Sequence, residues 1–320
     1  MSGVFLDRDS LDPGDLDLTA LQATLPQWRL YGATSAGQVA ERIADAQVVV
    51  SNKVMLDEAA LAAAPRLRLI AIAATGTNNV DLEAAARRGI AVCNVRRYAT
   101  PSVVQHVFAL LLNLTRRLND YQRAVAQGRW QQSGQFCLLD YPIGELNGRT
   151  LGIIGYGELG EAVARVAGQA FGMQVLLAQR PGAPPRQGRL PLGELLPQVD
   201  VLSLHCPLTE ATRGLIGAAE LALMKPGAIL INTARGGIVD EQALAEALRA
   251  GRLGGAAIDV LEREPPADDN PLLQGDLPNL IVTPHIAWAS REARQRLTDQ
   301  LAQNIRAFLE GRPQNLVSAD

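Results

Sequence analysis

Along the first third of the chain, short apolar runs at residues 4–6, 28–31, 48–50, 69–73 and 90–93 alternate with segments such as 56–64 and 82–88, whose apolar positions recur at helical spacing. Runs of this length, bounded by polar turns, predict strands. Their alternation with helices predicts a parallel sheet covered on both faces. At Ala99-Thr100-Pro101 the period changes. A proline near an N-terminus suits a helix start, and Val104, Phe108, Leu111, Leu112 and Leu118 are spaced for the buried faces of one long helix, expected to link two domains. A second alternation starts at Gly148, with strands expected over 150–154, 174–178, 201–205, 228–233, 255–259 and 279–283 and helices over 159–171 and 241–250. It predicts a second doubly wound sheet. The last helix, over 291–310, stops at Gly311-Arg312-Pro313 and is expected to return to the first domain; residues 181–191, rich in Pro, Gly and Arg, read as a surface loop. The fold class is therefore α/β, with two doubly wound parallel-sheet domains: 1–100 completed by 289–320, and 101–288.

A length of 320 residues agrees with two cores rather than one, and makes an interdomain cleft available. The formal net charge is −3, with basic residues scattered among acidic ones, so no footprint for nucleic acid or for a membrane surface emerges. A small molecule is the expected partner. Cys93, Cys137 and Cys206 are widely spaced and form no CxxC pair, which reads as a reduced, intracellular protein without a metal site. The aspartate-rich start has no apolar core of a signal peptide, and no apolar stretch reaches about 20 residues. A cytoplasmic location is expected.

Chemistry gathers at turns after the strands of the second half. Gly155-Tyr156-Gly157-Glu158-Leu159-Gly160 follows a predicted strand and opens a predicted helix. In that context Gly155 permits a tight turn, Gly157 lets the backbone approach a pyrophosphate, Gly160 lets helix pack on strand, and the helix N-terminus faces the phosphate charge. The bland alternative is a glycine-rich turn with no ligand. About 20 residues on, an acidic residue for the ribose hydroxyls is expected, but Gln179-Arg180 stands there. From residue 162 to 193 there is no Asp or Glu, while Arg165, Arg180, Arg186 and Arg189 are present. Such a loop accepts a 2′-phosphate, with Arg180 the best placed; Arg165 and Arg189 read as loop-solvating.

Arg235, in Thr233-Ala234-Arg235-Gly236-Gly237, follows another strand, and its fork suits a substrate carboxylate. Taken alone it serves equally well as a surface ion pair. Of three histidines, His106 lies inside the long helix and reads as core or interface packing, and His205 ends a strand beside Cys206-Pro207, a place near the cofactor where it can still serve only to satisfy backbone groups. His285, directly after a strand and Pro284, is the acid-base candidate. Glu264 before Pro265-Pro266 can stabilise its imidazolium by opposite charge, so that a proton is held for donation; alone it would be an ordinary loop carboxylate.

Taken together, these segments resemble the D-2-hydroxyacid dehydrogenase family over essentially the whole chain. The motifs are Ala74-Thr75-Gly76-Thr77-Asn78-Asn79-Val80-Asp81, the fingerprint, His205-Cys206-Pro207-Leu208-Thr209, Met224-Lys225-Pro226-Gly227, Thr233-Ala234-Arg235-Gly236-Gly237, Ile258-Asp259-Val260 with Glu264-Pro265, and Pro284-His285. Ser51-Asn52-Lys53-Val54, Tyr98 to His106, and His285-Ile286-Ala287-Trp288-Ala289-Ser290 look like the glycerate dehydrogenase, or hydroxypyruvate (glyoxylate) reductase, branch. The resemblance implies a flavodoxin-like substrate domain, a Rossmann cofactor domain and a homodimer. It implies Arg235, Glu264 and His285 as the catalytic set. The fingerprint with Gln179, Arg180, Cys206, Pro207, Thr212, Thr233, Ala234 and Asp259 would line the cofactor, Asp259 holding the nicotinamide carboxamide. Lys53, Gly76, Thr77 and Trp288, with Arg235 and His285, would meet the substrate. Two departures stand out: many members carry Asp where Gln179 stands, and many have glycines where this chain has Ala287-Trp288. The expected reaction is reduction of hydroxypyruvate or glyoxylate to D-glycerate or glycolate, with NADP(H) favoured and NAD(H) accepted. Alternatives on the same scaffold are a D-lactate-type or phosphite dehydrogenase and a nucleotide-sensing corepressor without turnover.

Overall fold

Five apolar runs in the first hundred residues form one sheet: β1 (Ser2–Phe5), β2 (Gln27–Leu30), β3 (Val48–Ser51), β4 (Leu69–Ile72) and β5 (Ala91–Cys93). The computed structural model describes residues 1–277 and 279–318. The five strands pair parallel in the order β2-β1-β3-β4-β5, the flavodoxin-like winding, and Leu316 adds one antiparallel bridge to Cys93 of β5. Strands β3 and β4 are buried along their whole length, as expected where helices cover both faces. Aspartates start the covering helices: Asp57 accepts from Ala60 N, and Asp81 from Ala84 N. The last helix, Arg291–Leu309, is capped by Ser290 and seats Leu297, Leu301, Ala302 and Ile305 in the core on one face of this sheet.

The second sheet contains β6 (Thr150–Ile154), β7 (Gln174–Leu177), β8 (Val201–Leu204), β9 (Ile229–Asn232), β10 (Gly255–Ile258) and β11 (Leu280–Val282). It is parallel throughout, in the order β11-β10-β9-β8-β6-β7. The fold is therefore two doubly wound parallel sheets, flavodoxin-like and Rossmann. The chain divides into two compact units, Met1–Ala99 with the segment from Trp288 onward, and Thr100–Ala287. No helix among the described residues is long and apolar enough to cross a membrane.

Element ends fall within a residue or two of the expected ones, with one larger difference. The long helix runs Thr100–Arg116 and stops, because Arg117 takes a left-handed conformation (φ 55°) and a new helix, Leu118–Ala126, begins. Leu118, expected on a buried face, is therefore exposed. Phe108 and Leu111 are buried as expected, together with Val103, Val107 and Leu110, while Val104 and Leu112 are only partly buried.

Candidate active site

A parallel sheet delivers the residue after every strand to the same edge, and the sheet order makes neighbours of residues far apart in sequence. Read across that edge, His285 follows β11, Asp259 and Glu264 follow β10, Arg235 follows β9, His205 follows β8, the glycine fingerprint follows β6 and Gln179 follows β7. Adjacent strands lie about 4.8 Å apart, so the strands feeding Arg235 and His285 are separated by about 10 Å. The winding reverses between β6 and β8, the place where open α/β sheets bind ligands.

His285 Nδ1 lies 2.7 Å from Glu264 Oε2. The other carboxylate oxygen of Glu264 accepts the Leu261 N–H at 3.0 Å, which fixes the acid relative to the ring. His285 itself sits at φ 55°, a left-handed conformation uncommon for a side chain of this size, and its N–H donates to Asp259 O at 2.8 Å. His205 is different in kind. Burial pushes its imidazole down to about 4, so the ring is neutral at neutral pH and holds no extra proton to donate. Its Nε2 meets Ser203 Oγ at 2.8 Å, while Nδ1 is buried without a partner among the described residues.

Arg235 is presented by a turn that Asn232 organises. The Asn232 side chain donates to Arg235 O at 2.9 Å and accepts from Ala234 N at 3.0 Å. The guanidinium is exposed and one of its nitrogens, Nη1, donates to Ala234 O at 2.7 Å. Its remaining N–H groups suit a planar anion.

The fingerprint has the shape a dinucleotide needs. Gly155 is left-handed (φ 90°), and a Cβ on it would lie 2.5 Å from Cys206 N; a Cβ on Gly160 would strike the Gly155 carbonyl. A Cβ on Gly157 would meet nothing within 4 Å. Gly157 is the N-cap of the helix Glu158–Phe171 and makes no side-chain cap bond, which leaves first-turn N–H groups to be satisfied by an anion. On the same strand-end row, the buried Thr233 hydroxyl has no partner among the described residues. Open backbone donors plus orphaned polar atoms fit a phosphate-bearing cofactor.

Residues 108–287 match the family described as D-isomer specific 2-hydroxyacid dehydrogenase, NAD binding domain. The chain belongs to this family. A glycerate dehydrogenase of Methylorubrum extorquens is 48% identical over 318 residues, which cover 99% of this chain and 98% of that one. A hydroxypyruvate reductase of Blautia hydrogenotrophica is 40% identical, covering 99% and 100%. Among solved structures, an NADPH-dependent glyoxylate/hydroxypyruvate reductase of Sinorhizobium meliloti, in complex with NADP and malonate, aligns with a TM-score of 0.82 at 30% identity, covering 99% of this chain and 96% of that one.

In this 2-hydroxyacid dehydrogenase the loop after β7 is built by Gln179. Its amide nitrogen donates to Ala183 O (3.1 Å) and Pro184 O (2.7 Å), and its oxygen accepts from Arg186 N (3.2 Å). The side chain thus organises the loop that carries the arginines. Arg180 is exposed, with no side-chain partner among the described residues, and Arg165 is exposed on its helix. Arg189 does more than the loop solvation expected of it: its guanidinium lies 4.9 Å above the Tyr156 ring. Glu158 accepts from the Thr100 hydroxyl. Thr212 Oγ1, which donates to Pro207 O at 2.7 Å and accepts from Thr209 N at 2.8 Å, braces the Pro207 turn. Asp259 is 1% exposed, and both its oxygens accept from the segment 283–287.

The other candidate substrate residues belong to the first unit. Lys53 follows β3, Gly76 and Thr77 follow β4, and Trp288 packs edge-on against Tyr98, ring centroids 6.3 Å apart. Sequence reasoning missed Asp7, after β1. Its buried carboxylate accepts from the N–H groups of Asn52, Lys53 and Val54 and so shapes the turn carrying Lys53. Burial raises its carboxyl above the usual range, outweighing those bonds. Its position at a strand end was the available signal.

Proposed function

We propose that the chain reduces hydroxypyruvate or glyoxylate to D-glycerate or glycolate, with NADPH preferred and NADH accepted. The observation that carries this reading is the 2.7 Å pair of His285 and Glu264 on the same sheet edge as Arg235 and the open fingerprint. The glycerate dehydrogenase and the hydroxypyruvate reductase among the relatives support the substrate class. When bound, the nicotinamide supplies the hydride taken up by the carbonyl carbon. Arg235 grips the substrate carboxylate through its fork and turns the carbonyl to a fixed direction. With Nδ1 of His285 committed to Glu264, the proton for the developing alkoxide leaves from Nε2. Glu264 supplies the counter-charge to the imidazolium and holds the ring in one orientation. The test is oxidation of NADPH and NADH with hydroxypyruvate, glyoxylate and pyruvate. Turnover should be fastest with one of the first two; faster turnover with pyruvate would move the assignment to a lactate-type enzyme.

The cofactor preference rests on the loop after β7. Gln179 puts no negative charge beside a 2′-phosphate, and Arg180 can pair with one, an interaction worth about 1.5–3 kcal/mol. Arg180→Ser should therefore weaken NADPH by about tenfold to a hundredfold relative to NADH. Gln179→Asp in the same chain should widen the shift by adding a repulsion and releasing the loop. A wild type that rejects NADPH would overturn this part and leave the reaction assignment standing.

A homodimer in the reducing cytoplasm completes the reading. Phe136 (89% exposed), Leu139 (80%), Trp130 and Ile143 are exposed apolar side chains on the segment after the helix break at Arg117, which a second copy would cover. Light scattering should give twice 34.2 kDa, and Phe136→Asp with Leu139→Asp should halve it. A wild-type monomer contradicts the proposal. The free Cys93, Cys137 and Cys206 suit a reducing compartment.

A further inference from the structure

We infer that Ser102 and His106 are positioning residues for the catalytic histidine, acting on its turn from one face of the helix Thr100–Arg116. This rests on His285 being the proton donor. Three successive backbone N–H groups reach Asp259: His285 N on the carbonyl (2.8 Å, shared with Thr283 O at 3.0 Å), Ile286 N on Oδ1 (2.9 Å) and Ala287 N on Oδ2 (2.9 Å). A left-handed histidine at φ 55° keeps its conformation only where its surroundings over-determine it, and one carboxylate at the end of β10 does most of that here.

The helix holds that arrangement in two places. Ser102 Oγ donates to Ala287 O at 2.7 Å, on the far side of the turn. One helical turn later, His106 Nε2 lies 3.0 Å from Thr283 Oγ1, on the near side. Thr283 gives its single hydroxyl proton to Asp259 Oδ1 at 2.6 Å, since an ionised carboxylate can only accept. Hydrogen bonds hold the Asp259 carboxyl below the usual range against the opposing effect of burial, so it is ionised. The Thr283 oxygen therefore accepts from His106, whose proton sits on Nε2. The chain His106–Thr283–Asp259, reinforced by His106 Nε2 lying 3.4 Å from Asp259 Oδ1, and the Ser102 bond fix the backbone on both sides of His285, although neither helix residue need touch substrate.

The experiment pairs breaking and conservative variants in the full-length protein. His106→Leu and Thr283→Val should each lower kcat about tenfold, because the donor is displaced and not removed. The cofactor dissociation constant, read by NADPH fluorescence, should stay within about twofold, since the fingerprint lies on other strands. His106→Gln, which can place an N–H near the same point, and Thr283→Ser should restore most of kcat. The double variant His106→Leu with Thr283→Val should be no slower than the worse single one, as expected of two links in one chain. Wild-type kcat in both breaking variants overturns the inference. So do multiplying losses in the double variant, or a failure of both conservative variants to rescue. His285→Gln is the control: if it retains turnover, the donor assignment itself falls, and this inference with it.

Discussion

His285→Gln is expected to lower turnover by about 10²–10⁴-fold while NADPH still binds, because it removes the proton donor and leaves the fingerprint alone. Glutamine keeps a hydrogen-bonding group and similar bulk, so the loss measures proton transfer more than shape. His205→Gln is the comparison. That ring is neutral at working pH and bonded to Ser203, so its replacement should cost far less and leave the shape of the pH profile unchanged. Steady-state kinetics of both variants decide between them. If His205→Gln were the slower enzyme, the acid would have been chosen wrongly.

Arg235→Lys should reduce kcat/KM by about 100-fold despite the retained charge, and Arg235→Ala by about 10³-fold. A guanidinium offers two parallel donors to one carboxylate and a further N–H toward the carbonyl. An ammonium offers a point charge with no fixed direction. Asn232 makes two hydrogen bonds in the turn that carries Arg235 and the guanidinium makes one, to Ala234 O, so most of the turn's support survives either substitution and the sheet should stay intact. Kinetics with hydroxypyruvate alongside thermal unfolding provides the check. A lysine variant of near-normal efficiency would make Arg235 a surface ion pair, the reading that the residue alone left open.

Much of this was legible because parallel sheets bury whole strands. A buried strand is a continuous apolar run, and the residue that follows it is placed at a known edge, so the fingerprint, Arg235, Glu264 and His285 could be aligned before any coordinates. What stayed hidden depends on contacts that local pattern does not encode. The helix break needed a left-handed Arg117, and no glycine or proline marks it. Gln179 could be read as the absence of an acid but not as the residue that builds its loop. Arg189 on Tyr156 joins residues brought together only by the sheet. His106 looked like packing from within its helix, and its partner Thr283 is 177 positions away.

The three fingerprint glycines answer to separable constraints. Gly155 and Gly160 relieve collisions inside the protein itself, so a lineage that abandoned catalysis would still have to retain them to keep its sheet. Gly157 faces empty space, and an alanine there would cost the empty protein nothing. Among descendants of such a chain, decay of the enzyme into a mute scaffold would be recorded first at the middle glycine, with its two flanking glycines still in place.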